Sequence, residues 1–99
     1  MSTISGRRKV ATAVVRLTKG KGNLTVNKKN IDEYFGRDVA KMIIRQPLVL
    51  TNSENVYDID IKVQGGGSFG QAGAIRLAIS KALIELNPEL RADLKKAGY

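Results

Sequence analysis

The chain has 99 residues, 42% of them hydrophobic, which is enough for one domain with its own core and too few for two. It contains no cysteine and no histidine, which excludes disulfides, thiol chemistry, the usual zinc sites and the commonest general base. Seventeen Lys and Arg against nine Asp and Glu give a net charge of +8. The excess is uneven: residues 1–22 hold six bases and no acid, residues 23–64 balance at zero, and residues 65–99 carry +2. A concentrated surplus fits a polyphosphate partner, because each neutralised phosphate releases counterions. A solubilising excess and a membrane-surface patch are the competing readings.

Residues 1–6 are polar, lack the apolar stretch of a signal peptide, and read as a flexible segment ahead of a single domain over residues 7–99. No apolar run approaches the ~20 residues needed to span a bilayer, so no membrane partner is expected, and the absence of cysteine fits a cytoplasmic protein. Residues 7–17 read as one strand, with Ala11, Ala13, Val15 and Leu17 on one face and Arg8, Val10, Thr12, Val14 and Arg16 on the other. Residues 18–23 form a turn with two glycines, which presents Lys19 and Lys21 on a flexible backbone suited to phosphate contact, and residues 24–26 return as a short strand, so the two strands are expected to pair as a hairpin.

Residues 30–35 read as one helical turn capped by Asn30, with acids in the first turn, ended by Gly36. Residues 37–46 read as a second helix stopped by Pro47, with Val39, Met42 and Ile43 as its buried stripe. Arg37, Lys41 and Arg45 then line one exposed edge at helical spacing, either as a phosphate-facing row or as a solvated face. Residues 47–50 read as extended and residues 51–55 as a polar loop. Residues 56–64 are the clearest strand: Tyr57, Ile59, Ile61 and Val63 alternate with Asp58, Asp60, Lys62 and Gln64. A long helix over residues 69–86 carries the apolar stripe Ala72, Ile75, Ala78, Ile79, Ala82, Leu83 and Leu86. Asn87-Pro88-Glu89 opens a last helix with Leu90, Leu94 and Ala97 inward and Gly98 at its stop. The order predicts an α+β domain in two layers, with helices packed on one face of a small, mostly antiparallel sheet whose other face is wet and basic.

Gly65-Gly66-Gly67-Ser68-Phe69-Gly70 matches the dinucleotide pattern G-x-G-x-x-G after a strand and before a helix. The pattern fails on context, because Glu85 falls inside the helix and Asn87-Pro88 opens another helix where a second strand is required. A small nucleotide-binding enzyme is therefore the alternative and not the expectation. The physical content survives: glycines let backbone amides approach an anion, and a helix N-terminus favours negative charge. Ser68 and Gln71 add side-chain donors, and Arg76 adds a cation. Tight strand–helix packing is the competing explanation of the glycines. Asp58 and Asp60 share one strand face without a third ligand and read as ordinary strand charges, so no metal, cofactor or catalytic residue is expected. Tyr34, Phe35 and Tyr57 read as core and not as a base-stacking platform.

Several motifs resemble, in order, the bacterial form of ribosomal protein nine of the small subunit: Gly6-Arg7-Arg8-Lys9, Ile31-Asp32-Glu33-Tyr34-Phe35, Arg45-Gln46-Pro47-Leu48, Gly65-Gly66-Gly67, Gly70-Gln71-Ala72-Gly73-Ala74-Ile75-Arg76, and the closing stretch from Leu90 through Leu94-Lys95-Lys96-Ala97-Gly98-Tyr99. The resemblance implies a fold like domain two of ribosomal protein five of the same subunit, with a left-handed βαβ crossover. It also implies binding to 16S-type ribosomal RNA in the subunit head, beside neighbouring head proteins. Family members continue past the Ala-Gly-aromatic position with a basic tail that reaches peptidyl-site tRNA, so tRNA contact is not carried over to this sequence, which is given to Tyr99. The expected RNA-contacting set is Arg7, Arg8, Lys9, Arg16, Lys19, Lys21, Arg37, Lys41, Arg45, Gly65, Gly66, Gly67, Ser68, Gln71, Arg76, Lys95 and Lys96. An interaction domain for acidic proteins is the remaining alternative.

Overall fold

The computed structural model describes residues 3–8, 11–36 and 38–99. Five strands form one mixed sheet: β1 (Thr3–Arg8), β2 (Ala11–Lys19), β3 (Leu24–Val26), β4 (Lys29–Asn30) and β5 (Tyr57–Gln64), in the spatial order β1-β2-β5-β3-β4. β5 is antiparallel to β2 and parallel to β3. The helices are α1 (Ile31–Tyr34), α2 (Asp38–Leu50), α3 (Ser68–Leu86) and α4 (Arg91–Lys96), the last entered through a 3-10 turn over Pro88–Leu90. The domain is therefore α+β, mostly antiparallel, with helices packed against the sheet. No helix among the described residues is long and apolar enough to cross a membrane.

Alternation builds the two faces. Ala11, Ala13, Val15 and Leu17 of β2, Leu24 and Val26 of β3, and Ile59, Ile61 and Val63 of β5 are all buried, so period-two patterning turns one whole face inward. α3 lies against β1 and β2 on that face, and α2 packs against α3. α3 is buried more widely than one stripe: Gly73, Ala74 and Ser80 join Ala72, Ile75, Ala78, Ile79, Ala82 and Leu83, because the sheet and α2 both contact it. Leu86 departs from the expectation and is exposed.

Five local expectations are corrected. β3 does not return onto β2 as a hairpin, because β5 lies between them, antiparallel to β2 and parallel to β3. Residues 7–17 do not form one strand: β1 ends at Arg8 and pairs back antiparallel on β2, so residues 3–6 lie in a strand where a flexible lead-in was expected. α2 runs through Pro47 to Leu50, with no extended piece after residue 46. Its end is tied instead by Thr51, whose N–H and Oγ1 both donate to the Pro47 carbonyl at 3.2 and 2.8 Å, and by Ser53 N–H on the Leu48 carbonyl at 2.8 Å. The α2 stripe is Ala40, Ile44, Pro47 and Leu48, while Val39 and Met42 are half exposed. In α4, Leu94 is buried and Leu90 partly so, but Ala97 faces out.

Other local signals hold. Asn30 Oδ1 accepts from Asp32 N–H at 2.9 Å and Asn87 Oδ1 from Glu89 N–H at 3.2 Å, so both read as helix caps as the sequence suggests. Gly98 ends α4, with Tyr99 N–H on the Leu94 carbonyl at 3.0 Å. Phe35 is buried, edge-on to the partly buried Tyr34 with ring centroids 4.8 Å apart.

Candidate nucleic-acid interface

Among the described residues, no helix buries the sheet's second face. It carries Thr12, Val14, Arg16 and Thr18 from β2, Thr25 from β3, and Asp58, Asp60, Lys62 and Gln64 from β5, none of them buried. Among the described residues, no ion pair engages Arg16 or Lys62 on this face, nor Lys19, Lys21, Lys28 or Lys29 in the adjoining turns. Asp60 is tied to its neighbour, its Oδ1 accepting from Thr25 Oγ1 at 3.2 Å.

The turn at one end of the sheet is held more firmly than its glycines suggest. Backbone N–H groups of Lys21, Gly22 and Asn23 all donate to Asp58 Oδ1, at 3.0, 3.2 and 3.0 Å. These amides, that of Asn23 contributing most and then that of Lys21, lower the pKa of Asp58 below its ordinary value against a smaller effect of desolvation. Gly20 N–H closes the turn on the Val56 carbonyl at 2.9 Å, and a Cβ at Gly20 would overlap the Asp58 carboxylate. The turn is thus a fixed platform for the exposed Lys19 and Lys21, where a flexible backbone was expected.

The glycine loop lies at the opposite end of β5. Gly65 and Gly66 have φ of 78° and 63°, and Gly67 caps α3 without a side-chain hydrogen bond. A Cβ at Gly66 would sit 3.1 Å from Ala11 Cβ, so β2 closely abuts this backbone. Gln71 braces the loop: its Nε2 donates to the Gly65 carbonyl at 3.1 Å and its Oε1 accepts from Tyr34 Oη at 3.1 Å. Its amide therefore has a structural occupation, where a phosphate donor was expected. Gly65, Gly66 and Gly67 are exposed. No strand follows α3 among the described residues, so the βαβ context of a dinucleotide site is absent there.

The expected contact residues divide between two sides of the molecule. Arg16, Lys19, Lys21 and the glycine loop belong to the open face and its ends. Arg7 and Arg8 close β1 opposite Thr12 and Ala11, at the glycine-loop end. Lys41, Arg45, Arg76, Lys95 and Lys96 belong to the helical side. Lys41 is not a free cation: its Nζ lies 3.3 Å from Asp32 and 3.1 Å from Asp38, and its side chain is only 18% exposed. Hydrogen bonds from Asp38 first and Asp32 second raise its pKa. Arg76 is likewise engaged, donating to Gln46 Oε1 at 2.8 Å and lying 4.8 Å over the Tyr99 ring. Arg45 is half-buried beside the exposed Met42, Val49 and Leu50. Lys95 and Lys96 are exposed. Lys9 and Arg37 lie outside the described residues, as do the side chains of Arg7, Arg8 and Ser68.

Three exposed cations on or beside the open face are absent from the expected set: Lys28, Lys29 and Lys62. Lys62 was legible from the alternation of β5. Lys28 and Lys29 were hidden because β4 is two residues long and its turn lacks glycine. With them, cations run from the Lys19–Lys21 turn, along Arg16 and Lys62, to Lys28 and the glycine loop. That path follows the eight residues of β5, roughly 25 Å. The family model for ribosomal protein S9/S16 matches residues 6–99, and the chain belongs to that family.

Proposed function

We propose that this chain is a structural protein of the small-subunit head, holding 16S-type ribosomal RNA against the open face of its sheet and the loops at the two ends of β5. Family membership already makes it a non-enzymatic, RNA-binding component of the small subunit. The observation that supports the finer reading is the run of exposed cations along β5 and the loops at its ends. These cations are exposed and without ion pairs among the described residues; on the helical side Lys41 and Arg76 are engaged within the fold, while Lys95 and Lys96 are exposed as well. The glycine loop adds backbone amides at the start of α3, a geometry that receives phosphate oxygens well. Arg7 and Arg8 at the end of β1, with Lys9 next in the sequence, add three bases to the amino-terminal segment. The helical side, with Val39, Met42, Val49 and Leu50 exposed, suits neighbouring head proteins.

Salt dependence tests this reading. With about five phosphates neutralised, log affinity for small-subunit RNA is expected to fall with log salt at a slope of about −4. Changing Arg7, Arg8 and Lys9 together to Ala is expected to flatten that slope by about 2–3. Titration across a salt series measures it, and a slope that the triple substitution leaves unchanged removes this segment from the interface.

A further inference from the structure

The turn between β3 and β4 consists of Asn27 and Lys28, with φ of 50° and 68°. Two-residue hairpin turns with both φ values positive favour glycine at the second position, because a Cβ in the left-handed region crowds its own carbonyl. Asparagine tolerates that region; lysine gains nothing from it. The fold holds Lys28 there through its neighbour. Asn27 N–H donates to the Ile61 carbonyl at 2.8 Å, Asn27 Nδ2 donates to the Val63 carbonyl at 3.0 Å, and Asn27 Oδ1 accepts from Val63 N–H at 2.9 Å. Asn27 thus prolongs the parallel β3–β5 pairing with its side chain and fixes where the next residue sits.

That next residue helps line a groove of about 460 Å³ on the open face, together with Lys62, Thr12 and Gln64. Both lysines are exposed, and neither has an ion pair among the described residues. Thr12 is also the register partner of Arg7. A strained cation where glycine would be easier is the kind of local cost that persists at binding sites.

We propose that this groove is a phosphate-binding site for the ribosomal RNA backbone, with Lys28 and Lys62 pairing with phosphodiester oxygens and Thr12 and Gln64 supplying neutral donors. The inference rests on the reading of the open face as the RNA-contacting side. An acidic protein segment is the competing occupant. Lysines suit a backbone phosphate because each is a compact charge with three rotatable donors, and the groove joins the same cation path that leads to the glycine loop.

Lys28→Gly separates strain from binding, because its two effects have opposite signs. Removing the left-handed Cβ is expected to raise Tm by about 3–6 °C. The same change is expected to weaken binding of a small-subunit RNA transcript by about fivefold at fixed salt and to flatten the salt slope by about 0.7–0.9. Lys62→Ala is expected to flatten the slope equally with Tm unchanged, and Lys28→Arg to keep both slope and affinity. A Lys28→Gly protein that melts higher and binds RNA as the unaltered chain does would overturn the groove site. If Arg16→Ala and Lys19→Ala still flatten the slope, the broader open-face reading survives that result. If no open-face cation moves the slope, both fall together.

Discussion

Asp58 shows how one acidic residue serves a basic surface. Its carboxylate gathers three amides and shapes the turn that carries Lys19 and Lys21. Its pKa is lowered in the folded protein, so the carboxylate contributes stability that is present above the ordinary carboxylate pKa and lost as pH falls through the lowered value. The expected outcome is that Asp58→Asn lowers Tm at neutral pH and that the gap from the unaltered protein closes in acid. A pH series of thermal melts measures it, and a constant gap shows that charge is not what the amides hold. Gly66 poses a second test at this scale. Gly66→Ala combines a left-handed φ with the 3.1 Å approach to Ala11 and is expected to cost about 1–2 kcal/mol. Gly67→Ala has φ of −95° and open space around its Cβ, so it is expected to cost under about 1 kcal/mol. Denaturant unfolding separates the pair, and RNA affinity lost in Gly67→Ala alone would mark the loop's outer side as the phosphate-facing one.

Among the elements, α2 carries the clearest lesson about what sequence shows. Reading Pro47 as a stop left Val39, Met42 and Ile43 as the best apolar stripe. The stripe of Ala40, Ile44, Pro47 and Leu48 is complete only if the helix continues past the proline. The misplaced end therefore rotated the inferred face by one residue, or about 100°. The continuation depends on contacts that local pattern does not reveal, above all the Thr51 and Ser53 bonds to the last turn. Ile44→Ala is expected to destabilise by about 2–4 kcal/mol, since Ile44 is fully buried. Met42→Ala, at an exposed position, is expected to stay within about 0.5 kcal/mol. Equilibrium unfolding of both variants measures the orientation of α2, and the reverse ranking would place the other stripe inward. By contrast, β2, β5 and the Asn30 and Asn87 caps were readable, because alternation and capping are written within a few neighbouring residues.

For the whole molecule, the two-layer α+β class and the basic amino-terminal third follow from patterns in the chain. The strand order does not. β2 and β5 pair across 38 residues at one end (Lys19 with Tyr57) and 52 at the other (Thr12 with Gln64), and no local signal links such partners. The cation path was invisible for the same reason, since Lys28 and Lys62 come together only through β3–β5 pairing. The central position of β5 also bears on how the protein is made. β5 follows the other four strands in the chain, yet it joins the two antiparallel pairs into one sheet. During synthesis, β1–β2 and β3–β4 must wait as separate hairpins, each with an unsatisfied strand edge that invites self-association. Arg16, Lys19 and Lys21 lie on or just after β2, and Lys28 lies in the turn that follows β3. Like charges at such positions oppose edge-to-edge pairing between nascent copies, so the lysines and arginines of the proposed RNA-binding face also protect the chain while its central strand is still missing.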